Sequence, residues 1–393
     1  MLIEILISIG LGILAGTFTG LTPGIHINLI GAFIVSISTT IAYKIPPLFL
    51  VIFITSMSIT HTFLDFIPSI LLGCPDTETE LSILPGHNLL KKGEAYEAII
   101  LTAKGSLSAT IIFILIAFPS IKILQKIHPV IQEIIPWLLI SISLFMVLTE
   151  KNKTSALKIF ILTGILGYLS YQIHPEKSLL PLLTGLFGTS LLIQSIKNKT
   201  LIPPQKITFT KIKKFRAFLG ATIAAPLCSF LPGLGAGQAA IIGSSLLRQS
   251  QKEFLILLGA TNTLVMEFSF LALYALSRTR TGSTVAVKEL LLMTPRIFLI
   301  LIFVMAISSL ISYFLTKKLS LISIKQIHKI NYSKLSKGIL FFLAGITLVF
   351  SGVKGFAILL ASTLLGIYSL RTPVRKTNMM GSLVIPTIIW YLF

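Results

Sequence analysis

The sequence predicts an all-α, polytopic integral membrane protein made of two inverted-topology repeats, each with a broken, re-entrant helical hairpin and about five transmembrane helices. Three observations predict it. Apolar runs of the roughly 20 residues that a spanning helix needs recur along the whole chain. Two of these runs are broken by Pro-Gly at corresponding places, Thr22-Pro23-Gly24 and Leu231-Pro232-Gly233. The basic residues collect in a few loops, while 54% of the 393 residues are hydrophobic and only 12% charged. A mean hydropathy of +0.92 is far above that of chains that stay in solution.

The first broken segment covers about 2 to 43 and ends at Lys44-Ile45-Pro46-Pro47. No basic region precedes it, so the first helix is expected to be retained rather than cleaved as a signal peptide. A span follows at about 47 to 66, then a polar connection at 67 to 97 that closes with Lys91-Lys92-Gly93. Further spans are expected at about 97 to 118, 130 to 149, 157 to 174 and 179 to 196. The second broken segment runs from about 216 to 247, and the remaining spans lie near 254 to 276, 292 to 315, 338 to 351, 355 to 370 and 377 to 393.

Residues 197–216, rich in Lys and Pro, separate an N-terminal repeat (1–196) from a C-terminal repeat (217–393). With Lys317 to Lys337 and Arg371 to Lys376 they form three basic loops, which belong on the cytoplasmic side of a cell membrane. If each broken segment enters and leaves on one face, all three loops fall on that side and the nearly uncharged N-terminus, Met1-Leu2-Ile3-Glu4, on the other. The odd number of crossings per half then gives the halves opposite orientation. The formal charge of +20 is explained by these loops, and no nucleic acid is expected as a partner.

In lipid every backbone N–H and C=O must be paired, so a Pro-Gly break belongs where it is buried in protein or lines a wet cavity. The half-helix after a break presents free N–H groups and the positive end of its dipole, which suits an anion. The substrate-binding candidates are therefore Thr22, Pro23, Gly24, His26 and Asn28 in the first half, and Pro232, Gly233, Gly235, Gly237 and Gln238 in the second. A Pro kink with glycines for helix packing is the structural alternative.

Thr60-His61-Thr62 before Asp65 parallels Thr261-Asn262-Thr263 before Glu267, each a similar distance past its Pro-Gly. Polar groups at membrane depth mark function, so Thr60, His61, Thr261 and Asn262 join the substrate candidates. Asp65 and Glu267 are the ion-coupling candidates, for Na+ or H+, with solvated positions near the interface as the alternative. Cys74 and Cys228 form no metal or CxxC spacing, no catalytic group or metal is expected, and no cofactor beyond a coupling cation. The Gly-rich string Gly233 to Gly237 lacks the strand context of a dinucleotide site.

The strings GTFTGLTPGIHINLIGAFI, LPGHNLLKKGEAYEAI and SFLPGLGAGQAAIIGSSL resemble the large membrane subunit of the tripartite tricarboxylate transporters, the TctA family, over about residues 8 to 300. The resemblance implies a cation-coupled permease for a small anionic solute such as a di- or tricarboxylate. It also implies a small membrane subunit and an extracytoplasmic binding protein as partners. By matching position, Thr22, Pro23, Gly24, Pro232, Gly233, Gly235 and Gly237 would line the substrate-facing breaks. His26, Asn28 and Lys104 depart from the family pattern, as does the shorter chain, which fits a divergent, archaeal branch. Two other readings stay open: a polyprenyl-phosphate translocase, whose hairpins would hold a lipid phosphate, and an intramembrane enzyme using His26, His61 and Asp65 or Glu267.

Overall fold

In a computed structural model the described residues are 2–22, 45–72, 79–175, 177–197, 203–207, 212, 214–230, 235–247, 249–327 and 332–392. They are mostly helical, and seven of the helices are long and apolar enough to cross a membrane. Of the site candidates, Pro23, Gly24, His26, Asn28, Pro232 and Gly233 lie outside the described residues.

Helix α1 (Leu2–Leu21) shows why the composition is so apolar. Its buried face is Ile9, Gly12, Ile13, Gly16, Thr19 and Gly20, while Leu2, Ile3, Leu6, Ile7, Leu11, Leu14 and Phe18 are exposed. A helix apolar on both faces, with small residues inward, suits a solvent of lipid. Gly12, Gly16 and Gly20, four residues apart, lie against Ser56, Thr60 and Leu64 of α2 (Pro47–Leu64). α1 and α2 therefore run side by side in the same direction. A Cβ at Gly12 would stand 2.6 Å from the Phe53 carbonyl, so the close approach needs glycine. Pro46 precedes α2 and Pro47 opens it, where a missing N–H costs nothing.

The polar connection read at 67 to 97 is, in its described residues, largely helical: α3 (Phe66–Leu72), a 3-10 turn (Glu80–Ser82) and α4 (Ile83–Lys91). Gly93 closes α4 with φ +81, the left-handed conformation that L side chains rarely adopt. Gly93 N–H donates to Leu90 O at 3.0 Å and Glu94 N–H to Leu89 O at 2.8 Å, capping the helix. Gly93 O in turn accepts from Lys206 N–H at 2.7 Å. Gln205 adds bonds to Ala95 N–H (3.0 Å) and Leu90 O (3.1 Å), so residues 203–207 between the halves dock on the α4–α5 turn.

His87 of α4 is half-buried, and burial together with nearby Lys91 pushes its imidazole down to about 4. The unfolded chain, with an ordinary histidine near 6.5, then binds the extra proton first as pH falls. His87 thus contributes stability that is complete above about pH 6.5 and lost between there and about pH 4. Melting of His87→Gln in detergent is expected to vary less across that window than melting of the wild type. Equal slopes would show that His87 titrates normally.

The spans expected at 97 to 118 and 130 to 149 are one continuous helix, α5 (Ala95–Leu148). The stretch between Pro119 and Pro129 looked like a loop because of its charges, yet Ile121, Ile123, Leu124 and Ile127 keep a helical apolar spacing beside Lys122 and Lys126. α6 (Lys153–Ile173) follows, then α7 (Leu179–Leu183), a π-helical turn (Thr184–Thr189) and α8 (Ser190–Lys197).

The second broken segment is described on both sides of its break, as α9 (Phe215–Phe230) and α10 (Ala236–Leu246). Gly220 faces Gly243, so the arms are antiparallel and the chain enters and leaves on one side, as expected. α11 (Gln251–Leu276) starts with a capping box between Ser250 and Glu253 and ends at Ser277, whose φ is +53. The loop expected after it contains a further helix, α12 (Gly282–Leu290), capped by Thr281 and Thr284. α13 spans Pro295–Ile327. α14 (Tyr332–Arg371) reverses at Gly352 (φ +62), matching the two spans read at 338 to 351 and 355 to 370. A 3-10 turn (Lys376–Met380) leads to α15 (Gly381–Leu392).

The halves exchange partners. α5 of the first packs on α11 of the second, with Gly105 against Ile256 and Ala260, and Gly259 against Thr102. α13 of the second packs on α2 of the first through Ser308–Ser56 (2.9 Å) and Ser312–Thr60 (3.0 Å). Farther along, α6 pairs with α15 and α14 with the α7–α8 segment. At one end of the bundle Lys252 bridges to Glu97 (2.7 Å) and Glu94 (3.3 Å).

A second polar clasp joins the α5–α6 turn to the last turn of the chain. Glu150 Oε1 accepts from Arg375 Nε (2.7 Å), Arg375 N–H (3.1 Å) and Asn378 Nδ2 (3.0 Å). Charge-assisted bonds to one buried carboxylate are the strong kind. Glu150→Ala is expected to cost about 2 kcal/mol of stability, read as a lower melting temperature in detergent. An unchanged melting temperature would make the clasp a passive contact.

Candidate functional site

The site is built where α2 crosses α11. Both helices are buried almost throughout, α11 from Leu255 to Leu273. Their polar residues therefore face protein, and each must find a partner. Thr62 Oγ1 meets Thr263 Oγ1 at 3.1 Å. Asn262 Nδ2 donates to Asp65 Oδ2 at 2.8 Å and to Thr62 O at 3.3 Å. The two sequence motifs that parallel each other are thus in direct contact, nearly two hundred residues apart in the chain. His61 Nδ1 lies 3.0 Å from Thr19 Oγ1, which ties α1 to the same point.

Asp65 is 3% exposed and Glu267 0%, so neither carboxyl is a solvated interfacial group. Asp65 is held by Asn262. Glu267 lies farther along α11, beside the Thr110 hydroxyl of α5. Both oxygens of Glu267 are without a hydrogen-bond partner among the described residues. Thr110 faces the carboxyl and also lies 2.8 Å from Ser309 Oγ of α13, where either hydroxyl can be the donor. Phe268, next in the chain, packs edge-on against Phe113 at 5.3 Å and keeps this neighbourhood apolar.

Both broken segments end at this depth. Gly20 of α1 packs on Leu64 and Asp65, which puts Thr22, the half-buried last residue before the first break, level with Asp65. Gln249 Nε2 reaches Arg216 O at 3.3 Å, so α9 and α11 set out together. At about 1.5 Å per residue, the end of α9 at Phe230 reaches the depth of residues between Asn262 and Glu267. Beyond the second break, Gly235 starts α10, its carbonyl accepting from Ala239 N–H at 3.0 Å, and Gly237 is buried in the first turn with Gln238 next to it in the helix.

The other candidates are used differently. Thr60 accepts from Ser312 of α13, whereas Thr261 bonds back to Leu257 O (3.0 Å) in its own helix. Lys104 is half-buried on α5. Sequence reasoning missed Thr110 and the serines 56, 308, 309 and 312 that line the α2–α13 and α5–α13 seams. A signal was present: Ser56/Thr60 and Ser308/Ser312 are both spaced by four residues, which places each pair on one face of its helix. Among the described residues, no group of His, Cys, Asp and Glu is arranged to hold a metal ion.

An all-α polytopic bundle with half-helices ending beside buried polar groups defines the class of membrane transport proteins. The chain belongs to the tripartite tricarboxylate transporter TctA family, which it matches over residues 6–381. It is also 32% identical over 404 aligned positions to an uncharacterized protein of Methanocaldococcus jannaschii, covering 97% of this chain and 98% of that one. No solved structure matches it. The family match extends past residue 300, beyond the stretch whose motifs carried the resemblance.

Proposed function

We propose that this protein is a secondary active transporter that couples uptake of a small anionic solute, of the di- or tricarboxylate class, to a cation gradient. Membership of a transporter family supports transport, and the contact of Asp65 with Asn262 supports its location. Residues 1–196 and 217–393 are two repeats of opposite orientation joined by 197–216. The exchange of partners between halves supports this, since a two-fold relation that pairs α5 with α11 also pairs α13 with α2. The three basic loops then face the cytoplasm.

The solute-binding space is assigned to Thr22, Pro23, Gly24, His26 and Asn28 of the first break and to Pro232, Gly233, Gly235, Gly237 and Gln238 of the second. The start of α10, at the positive end of its dipole, would face carboxylate oxygens, as helix N-termini do. The pair Asp65–Asn262 and His61 form the floor of that space. A small membrane subunit and an extracytoplasmic binding protein are the expected partners, by family membership.

Counterflow of labelled di- and tricarboxylates into proteoliposomes, with and without sodium and pH gradients, tests the reading. Exchange of at least one carboxylate is expected. Movement of a polyprenyl phosphate with no carboxylate exchange would overturn it in favour of a lipid-carrier translocase.

A further inference from the structure

Two carboxyls lie near the crossing of α2 and α11, and they differ in how their oxygens are satisfied: Asp65 Oδ2 has a donor while its Oδ1 has no hydrogen-bond partner, and Glu267 has none on either oxygen among the described residues. Asp65 has an amide donor, Asn262 Nδ2, at 2.8 Å. Glu267 is wholly buried with neither oxygen hydrogen-bonded among the described residues. An ionised carboxylate in such a place is severely penalised, whereas a neutral acid has one O–H to place and no charge to solvate. Pairs of carboxyls kept in unlike environments commonly divide the roles of fixed charge and proton carrier.

The other titratable groups on helices packed against α11 offer Glu267 no bond. They include Lys104 on α5, His61 and Asp65 on α2, Cys228 on α9, Lys288 on α12 and Tyr313 on α13. Lys104 precedes Thr110 by six positions, roughly 9 Å along the helix. Lys288 bonds instead to Ser277 O at 3.1 Å. A hard metal cation takes about six oxygen ligands, and among the described residues no group of carboxylates and other metal-ligating side chains is gathered at Glu267, beside which stands the Thr110 hydroxyl.

We propose that Glu267 carries the coupling proton of this transporter and that the coupling ion is H+ rather than Na+. In the state described here Glu267 is the neutral acid. When the bundle opens to water on one side, its O–H bond breaks and the proton passes to water. The carboxylate left behind accepts a hydrogen bond from the Thr110 hydroxyl, whose oxygen can accept from Ser309 Oγ at the same time. Reprotonation from the opposite side restores the neutral acid and lets the bundle close. Asp65 stays tied to Asn262 throughout and has no part in proton transfer.

This inference rests on the transporter reading, and two measurements separate the two. The first is infrared spectroscopy of the protein in proteoliposomes across pH. A carbonyl stretch of a protonated, weakly bonded carboxyl is expected, absent in Glu267→Gln and unchanged when NaCl replaces KCl. Thr110→Val should shift that band, which an acid elsewhere in the protein would not show, and this variant serves where Glu267→Gln fails to fold. Loss of the band on adding sodium at constant pH, or its absence from the wild type, would overturn the proposal.

The second is the ratio of carboxylate uptake with an inward pH gradient to uptake without one. It should exceed one in the wild type and fall to one in Glu267→Gln. Carboxylate counterflow in a wild type whose ratio is already one removes the proton assignment and leaves the transporter reading standing. Absence of all carboxylate counterflow removes the transporter reading, and with it the coupling role.

Discussion

Replacing Gly259 by Val is expected to prevent stable assembly of the protein, with a cost of at least about 3 kcal/mol from forced repacking. α11 meets α5 at this glycine so closely that a Cβ would overlap the Thr102 carbonyl, and Gly105 returns the contact against the Ile256 carbonyl. Backbone cannot give way as a side-chain tip can, so the helices must separate along the seam that joins the two halves. Ser106 Oγ donates to Gly259 O at 3.0 Å on the same seam and would be lost with it. The measurement is the yield and melting temperature of monodisperse protein in detergent, beside Gly10→Val. A Cβ at Gly10 meets nothing within 4 Å, so that variant should behave as the wild type. Equal behaviour of the two variants would show that the seam is not closely packed.

Replacing Asn262 by Leu is expected to lower carboxylate uptake at least tenfold while the protein still reaches the membrane. Leucine fills nearly the same volume, so the loss is chemical: Asp65 forfeits a donor inside a buried site, worth about 1.5–3 kcal/mol for a bond to a charged group. The Thr62 carbonyl loses its bond from the same amide. Freed of Asn262, the Asp65 carboxylate would turn toward the space between the breaks and repel an anionic solute. Initial rates in proteoliposomes check this against Thr261→Val, whose hydroxyl only bonds its own helix at 3.0 Å and which should transport at close to the normal rate. If Asn262→Leu transports normally, the α2–α11 crossing is a structural strut and the solute binds elsewhere.

The two predictions address different seams of one arrangement. Gly259 tests whether α5 and α11 hold the halves together, and Asn262 tests whether the α2–α11 crossing faces the solute. The infrared and gradient measurements on Glu267 probe a third point, one helical turn or so beyond Asn262, so their outcomes are separable.

The membrane class and the broken segments were legible in the sequence for a simple reason. Lipid imposes length on every apolar run and punishes every break, so Pro232-Gly233 within such a run announces itself whatever surrounds it. The antiparallel arms α9 and α10 followed from the same logic, because a break flanked by two half-length apolar pieces returns to the face it came from. The reversal of α14 at Gly352 was readable as two short spans. The likeness of Thr60 to Asp65 and Thr261 to Glu267 was readable as well, though only as a pattern.

Tertiary structure decided the rest. Charges at Lys122 and Lys126 argued for a loop, but a helix shows charge on one face without breaking, and local composition does not tell the two apart. That Asp65 bonds to Asn262 rather than to the solvent depends on how α2 crosses α11, a fact of packing across nearly two hundred residues. Glu267 had the same residue type and neighbours in the sequence whether it sat at an interface or in the interior. Only the approach of α5 and α13 encloses it and leaves its oxygens without a donor among the described residues. Hydropathy determined that this chain lives in a membrane and where it breaks; which buried carboxyl bonds to Asn262 and which is enclosed beside Thr110 came from the contacts between helices.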